Sequence, residues 1–159
     1  MTKQAIHTRI ESALGSVGAR FGPLTEVPLR VDIPSLIPLA IWAFTLTNPP
    51  GGRHPSESKI QIMVPGQSRS ERGDFVAPDQ RFKILMGVHP TEDTFVLWDA
   101  YRQQNFPWSK NVQVRGPIIW DAQIMGLGEG ARRLTTGDET VFACRSDRLV
   151  EALRERIQR

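Results

Sequence analysis

Apolar residues recur every four positions near the start of the chain, at Ile6, Ile10 and Leu14, which is the repeat of one helical face. Thr2 can cap that helix and Gly15 can end it, so residues 2–15 are expected to be helical. Residues 16–38 are punctuated by Pro and Gly and read as irregular, with at most a helical turn near Ser35. Leu39–Thr47 is apolar, carries Trp and Phe, and reads as a buried strand that stops at Asn48-Pro49-Pro50-Gly51-Gly52. Lys59–Val64 and Arg81–Val88 alternate as strands around a polar loop, Gln67–Asp74. Thr94–Tyr101 is a fourth strand and Asn111–Arg115 a short fifth. Ile118–Met125 reads as a helix closed by Gly126, Gly128 and Gly130, and Thr140–Arg145 as the last strand. Asp147 then caps a terminal helix with Leu149, Leu153 and Ile157 on one face and Arg148, Arg154 and Arg156 on the other.

Several consecutive strands with short links imply antiparallel pairing, so the expected class is α+β: a curled, partly closed, mainly antiparallel sheet with helices at both ends. At 159 residues the whole chain, 1–159, is expected to be one domain. No apolar run reaches the ~20 residues of a membrane span, and the N-terminus lacks the apolar core of a signal peptide. The single Cys144 has no intrachain partner, which fits a buried thiol in a cytoplasmic protein. A net charge of +3 permits a polyanionic partner without demanding one.

Catalytic signals are thin. His7, His54 and His89 are scattered, and with one cysteine no metal cluster or cofactor is expected. Gly126-Leu127-Gly128-Glu129-Gly130 lacks the Lys-Ser/Thr of a phosphate-binding loop. Asp32, Glu57 and Lys59 mimic the Asp…Glu-x-Lys pattern of metal-dependent nucleases, an alternative that requires both carboxylates to meet at one metal.

Cations beside an unusual loop carry more information. Asn105-Phe106-Pro107-Trp108-Ser109-Lys110-Asn111 places two aromatics and a proline next to a lysine. Two readings are open: an exposed apolar pocket beside a phosphate-binding surface, or a turn that tucks its aromatics into the core. Lys59, Arg72, Lys110, Arg115 and the Arg132-Arg133 pair are candidate phosphate contacts, the pair being assigned to a link before the last strand. Gln67, Ser68, Arg69, Gln103 and Gln104, together with Arg72, are candidates for contacting bases.

Three ordered blocks carry a resemblance. Lys59-Ile60-Gln61 leads through Val64-Pro65-Gly66-Gln67 and Arg69 to Glu71-Arg72-Gly73-Asp74-Phe75. Phe95-Val96-Leu97-Trp98-Asp99-Ala100 precedes Phe106 to Val114, and Glu139 to Arg145 precedes Asp147 to Leu153. From about residue 39 onward the chain resembles the DNA sulfur-binding domain of McrA-type, Type IV restriction endonucleases. The resemblance implies a pseudobarrel-like fold and a non-enzymatic module that recognises phosphorothioate linkages in double-stranded DNA, with cleavage left to a fused or separate nuclease. It assigns the sulfur pocket to Phe106, Pro107 and Lys110, with Ser109 beside them, and flanking backbone contacts to Lys59 and Arg132. Trp108 becomes the core anchor of the corner. Two departures stand out: Phe106 has no hydroxyl where the family can carry tyrosine, and Lys110 replaces a small wall residue.

The chemistry is coherent. Sulfur is more polarizable than oxygen and a poorer hydrogen-bond acceptor, so it loses little against an apolar wall. An oxygen there loses hydration at about 1–3 kcal/mol, or roughly ten- to hundred-fold in affinity. A reader of methylated or unmodified specific DNA on the same fold is the alternative within the binding class.

Overall fold

The computed structural model describes residues 1–48 and 56–159; the breaker residues Pro49–Gly52 and His54 lie outside the described residues. Helix α1 spans Lys3–Leu14, and the Thr2 hydroxyl accepts from the Ala5 amide at 3.1 Å, the expected cap. The strands are β1 (Arg20–Phe21), β2 (Leu29–Asp32), β3 (Leu39–Thr45), β4 (Ser58–Ile62), β5 (Phe82–Val88), β6 (Phe95–Trp98), β7 (Lys110–Val114), β8 (Leu127–Leu134) and β9 (Gly137–Cys144). Helix α2 spans Gly116–Met125 and α3 Leu149–Gln158.

Seven strands form one open sheet in the order β1-β2-β3-β5-β6-β9-β8, and β4 pairs with β7 in a second, two-stranded sheet. The class is α+β, as expected, and every pairing is antiparallel except β3 with β5, which run parallel from Leu39↔Phe82 to Thr45↔Val88. A parallel pair needs a long crossover. Here the crossover contains β4 and the polar loop, which is how the small sheet comes to lie over the large one.

The large sheet is covered on both faces, which explains why β3 is apolar at almost every position. On one face, Ile41, Ile84, Met86, Leu97 and Phe142 pack with Ile6, Ile10 and Leu14 of α1 and Leu149 and Leu153 of α3. On the other, Trp42, Leu85, Trp98 and Val141 pack with Ile60 and Ile62 of β4, Val112 and Val114 of β7, and Ile118, Ile119 and Ala122 of α2. This second layer carries the candidate functional residues.

Four sequence expectations are corrected. Residues 16–38 are not wholly irregular: Leu29, Val31 and Ile33 alternate into the core, and β1 and β2 extend the sheet there. Gly126 does end α2, with φ 92° and its amide bonded to Ala122 O, but Gly128 and Gly130 belong to β8. A Cβ on Gly128 would collide with the Ile118 carbonyl oxygen of α2, so glycine there is what lets α2 lie across β8. Asp147 does not cap α3; it pairs with Arg145 at 3.3 Å, while Asp93 holds Ser146. Arg156 is not on the outer face but 3% exposed, its guanidinium over the Phe142 ring and bonded to Thr140 O.

His7 is fully buried, with Nδ1 2.7 Å from Leu24 O and Nε2 without a hydrogen-bond partner among the described residues. Nδ1–H donates to the carbonyl, so Nε2 is a buried lone pair. Burial and the nearby Lys3 hold its pKa below the ordinary 6.5, against the pull of the Leu24 carbonyl. The unfolded chain therefore binds a proton that folded His7 resists. The stability His7 confers is complete above about pH 6.5 and declines as pH falls through the window below it. Urea midpoints measured between about pH 8 and pH 5 should drop on the acid side, and His7→Gln should flatten the drop. An equal drop in the variant contradicts this origin.

Candidate nucleic-acid interface

The Phe-Pro-Trp corner resolves into the second of its two readings for Phe106, while Pro107 and Trp108 stay at the surface. Phe106 is only 1% exposed; its ring centroid lies 4.9 Å from that of Phe75, which lies 5.0 Å from that of Trp42. Its backbone forms an isolated bridge with Gly73, with N···O distances of 2.9 and 3.0 Å. Gln67 fastens the same loop: its Nε2 donates to Glu71 O at 3.0 Å and Phe106 O at 3.3 Å, and its Oε1 accepts from Val64 N. A Cβ on Gly73 would meet Gln67 Oε1 at 2.5 Å and Phe106 Cε2 at 2.8 Å, so this crossing requires glycine.

Phe106 is thus the anchor of the corner and not the wall of an open pocket. Trp108, expected as the core anchor, is half-buried, with the Arg69 guanidinium 5.3 Å from its ring centroid. Pro107 stands exposed at the tip. Asn105 and Ser109 flank the three residues in the left-handed region, at φ 47° and 58°. Such conformations cost of order 1–3 kcal/mol in non-glycine residues and persist where neighbours enforce them. Asp74 accepts from the Asn105 amide at 2.8 Å, and Arg72 donates to Asn105 O at 3.3 Å. Arg72 and Gln67 therefore brace the corner, whatever else they touch. Ser68 bonds to Glu71 at 2.8 Å on the exposed loop, and exposed Gln104 bonds to Tyr101 O at 3.1 Å.

Lys110 does not line an apolar cavity with Phe106. Its Nζ donates to Gln103 Oε1 at 2.9 Å, and Gln103 is 2% exposed, so this glutamine is a buried brace and not a free base reader. Desolvation and the nearby Arg132 lower the Lys110 pKa, partly offset by Glu139. Glu139 is the hub: its side chain is fully buried, Oε1 accepts from Asp99 N at 2.7 Å and Oε2 from Arg132 Nη1 at 3.0 Å. Two cations crowd one carboxylate here, an arrangement that an incoming phosphate would relieve.

Arg132 and Arg133 lie on β8, not in a link, and this places them opposite the end of β7. A cavity of about 220 Å³ is lined by Glu57, Gln113, Arg115, Arg132 and Arg133 over an apolar floor that includes Val114, Ile118 and Val141. Three of the expected backbone-binding cations thus converge. Lys59 does not line this cavity: on the small sheet it pairs in register with Gln113, which does, and its Nζ donates to Asn111 Oδ1 at 3.3 Å. β7 alternates strictly, which turns Asn111, Gln113 and Arg115 outward while Val112 and Val114 enter the core.

The Asp32, Glu57 and Lys59 trio is not assembled. Asp32 bonds Arg81, which also reaches Leu39 O at the start of β3, whereas Lys59 bridges Thr47 beyond its other end. Eight residues of extended chain separate those ends, about 26 Å. Among the described residues, no three His, Cys, Asp or Glu side chains gather as a metal site, and no helix is long and apolar enough to cross a membrane.

Glu139, Gln113 and Asp99 escaped the sequence reading as site residues. Arg132 pairs directly with Glu139 across the β8–β9 hairpin, a relation that assigning the arginine pair to a link conceals. A charged residue leading into an apolar strand was the available signal. No curated protein and no solved structure matches the chain. A family model described as Methylase-associated X1 matches residues 37–153, the span from just before β3 into α3 that holds all of these side chains, and the chain belongs to that family.

Proposed function

We propose that this protein is a non-enzymatic, duplex-DNA-binding module that reads a modification for a restriction system. The observation that carries this reading is the convergence of Arg115, Arg132 and Arg133 with Gln113 on one cavity, Lys59 being the strand partner of Gln113. Arginine forks suit phosphate oxygens, and glutamine can reach base edges from the same surface. The family's description, tying its members to methylases, agrees with a DNA-modification setting. Cleavage is assigned to a separate nuclease.

The modification favoured by the sequence resemblance is a phosphorothioate. Its sulfur would rest on exposed Pro107, flanked by the half-buried Trp108 and Arg69, and not on the Phe106 ring. Matched duplexes with and without one phosphorothioate should differ by about ten- to hundred-fold in affinity, read by fluorescence anisotropy. Pro107→Ala should reduce that difference with little change for the unmodified duplex. Equal affinities for the two duplexes in the parent protein would refute sulfur recognition. The methylase association favours a second reading, a methylated base as the mark; a panel of methylated duplexes on the same titration separates the two.

A further inference from the structure

Beyond the arginine cavity, α2 exposes an aromatic that the core does not use. Trp120 is 49% exposed, and with Pro117 it forms the apolar wall of a separate cavity of about 370 Å³ whose other lining residues are Ser56, Glu57 and Arg115. Glu57 and Arg115 line both cavities, so this apolar recess opens directly beside the proposed phosphate site. Its frame is tight: any Cβ on Gly116 would collide with Ser56, which fixes the Glu57 segment against the start of α2.

We propose that Trp120, Pro117, Glu57 and Arg115 form a receptacle for a single base rotated out of the duplex, one that carries an exocyclic amine. The inference rests on the DNA-binding reading above and adds to it a second point of recognition. An extruded base leaves its phosphates at the duplex edge, where Arg115 already faces the arginine cavity. The base itself needs a π surface, which Trp120 supplies; stacking of this kind is worth roughly ten- to hundred-fold in affinity. A carboxylate such as that of Glu57 accepts hydrogen bonds and donates none. It therefore suits a base with an exocyclic amine, the N4 of cytosine, the N6 of adenine or the N2 of guanine, whereas thymine offers only N3–H between two carbonyl oxygens that repel the carboxylate. A methyl group on the captured base would meet Trp120 and Pro117 in place of water.

Three duplexes test this with the full chain: one fully paired, one with a cytosine opposite an abasic site, and one with a thymine opposite an abasic site. An unpaired base costs least to extrude. The cytosine duplex should bind about tenfold or more tighter than the paired one, and the thymine duplex should gain little. Trp120→Ala should abolish the cytosine gain, whereas Ile124→Ala, an exposed change on the same helix outside the cavity, should keep it. Glu57→Gln, which can donate as well as accept, should let thymine approach cytosine. Binding of the paired duplex without any cytosine gain, a gain that survives Trp120→Ala, or equal gains for cytosine and thymine in the parent protein would each overturn the receptacle while leaving the DNA reading standing. Failure to bind any of the three would overturn both.

Discussion

Phe106→Ala is expected to lower folding stability by about 3–5 kcal/mol, the range for truncating a fully buried aromatic. The ring closes a row of three, Trp42, Phe75 and Phe106, between the large sheet and the loop that bears the corner. Removing it leaves a void beneath a turn whose geometry is already costly at Asn105 and Ser109. The Gly73–Phe106 bridge is a backbone pair and the Gln67 side chain holds backbone groups, so neither depends on the ring. Pro107 and Trp108 would nonetheless lose their support. Affinity should fall for sulfur-bearing and plain duplexes alike, because the change acts through the fold. This differs from what the sequence resemblance implies, in which Phe106 touches sulfur and its loss selectively removes discrimination. Denaturant midpoints measured alongside the two titrations decide: a variant of parental stability with discrimination alone lost would restore Phe106 to the pocket.

Glu139→Ala is expected to cost a comparable 3–5 kcal/mol, because it strands buried partners and does not merely delete an exposed pair. The Asp99 amide loses its acceptor, Arg132 loses its carboxylate, and Lys110 loses the charge that offsets its burial, while Arg156 keeps Asp99. Glu139→Gln keeps an oxygen for the Asp99 amide and should be milder. Its neutral amide still leaves Arg132 and Lys110 without their countercharge, so high salt should recover part of its loss. A midpoint for Glu139→Ala within about 1 kcal/mol of the parent would show that water or a neighbouring group replaces the carboxylate.

Much of the fold was legible because its strands carry clear patterns. Leu39–Thr45 is apolar enough to declare burial on both faces, and β4 and β7 alternate, whereas β5, expected to alternate, is buried on both faces from Ile84 to Val88. The helices α1 and α3 repeat as amphipathic segments do, although Arg156 shows that a charged residue can occupy the buried face when an aromatic ring and a carbonyl receive it. The missed strands were short or glycine-rich. β8 could not be recognised from its own residues, since Gly128 and Gly130 answer to the approach of α2 rather than to strand propensity. Losing β8 hid the Arg132–Glu139 pairing and with it the reason the arginines converge. The candidate cations were legible individually. Their assembly depended on a parallel crossover that delivers β4 and β7 to one face, which no local pattern encodes. The corner was legible as unusual, but the division of labour within it was not: burial of Phe106 or of Trp108 satisfies the same sequence.

Duplex binding at the arginine cavity is the central claim, and its salt dependence is the most direct measure of it. Affinity for an unmodified duplex, titrated across a range of salt, should fall linearly on logarithmic axes as condensed counterions are released. Arg115→Ala and Arg133→Ala, both exposed positions, should each weaken binding and make the slope shallower by about 1, and together by about 2. A parental slope and affinity in the double variant would contradict the assignment of this cavity to the DNA backbone.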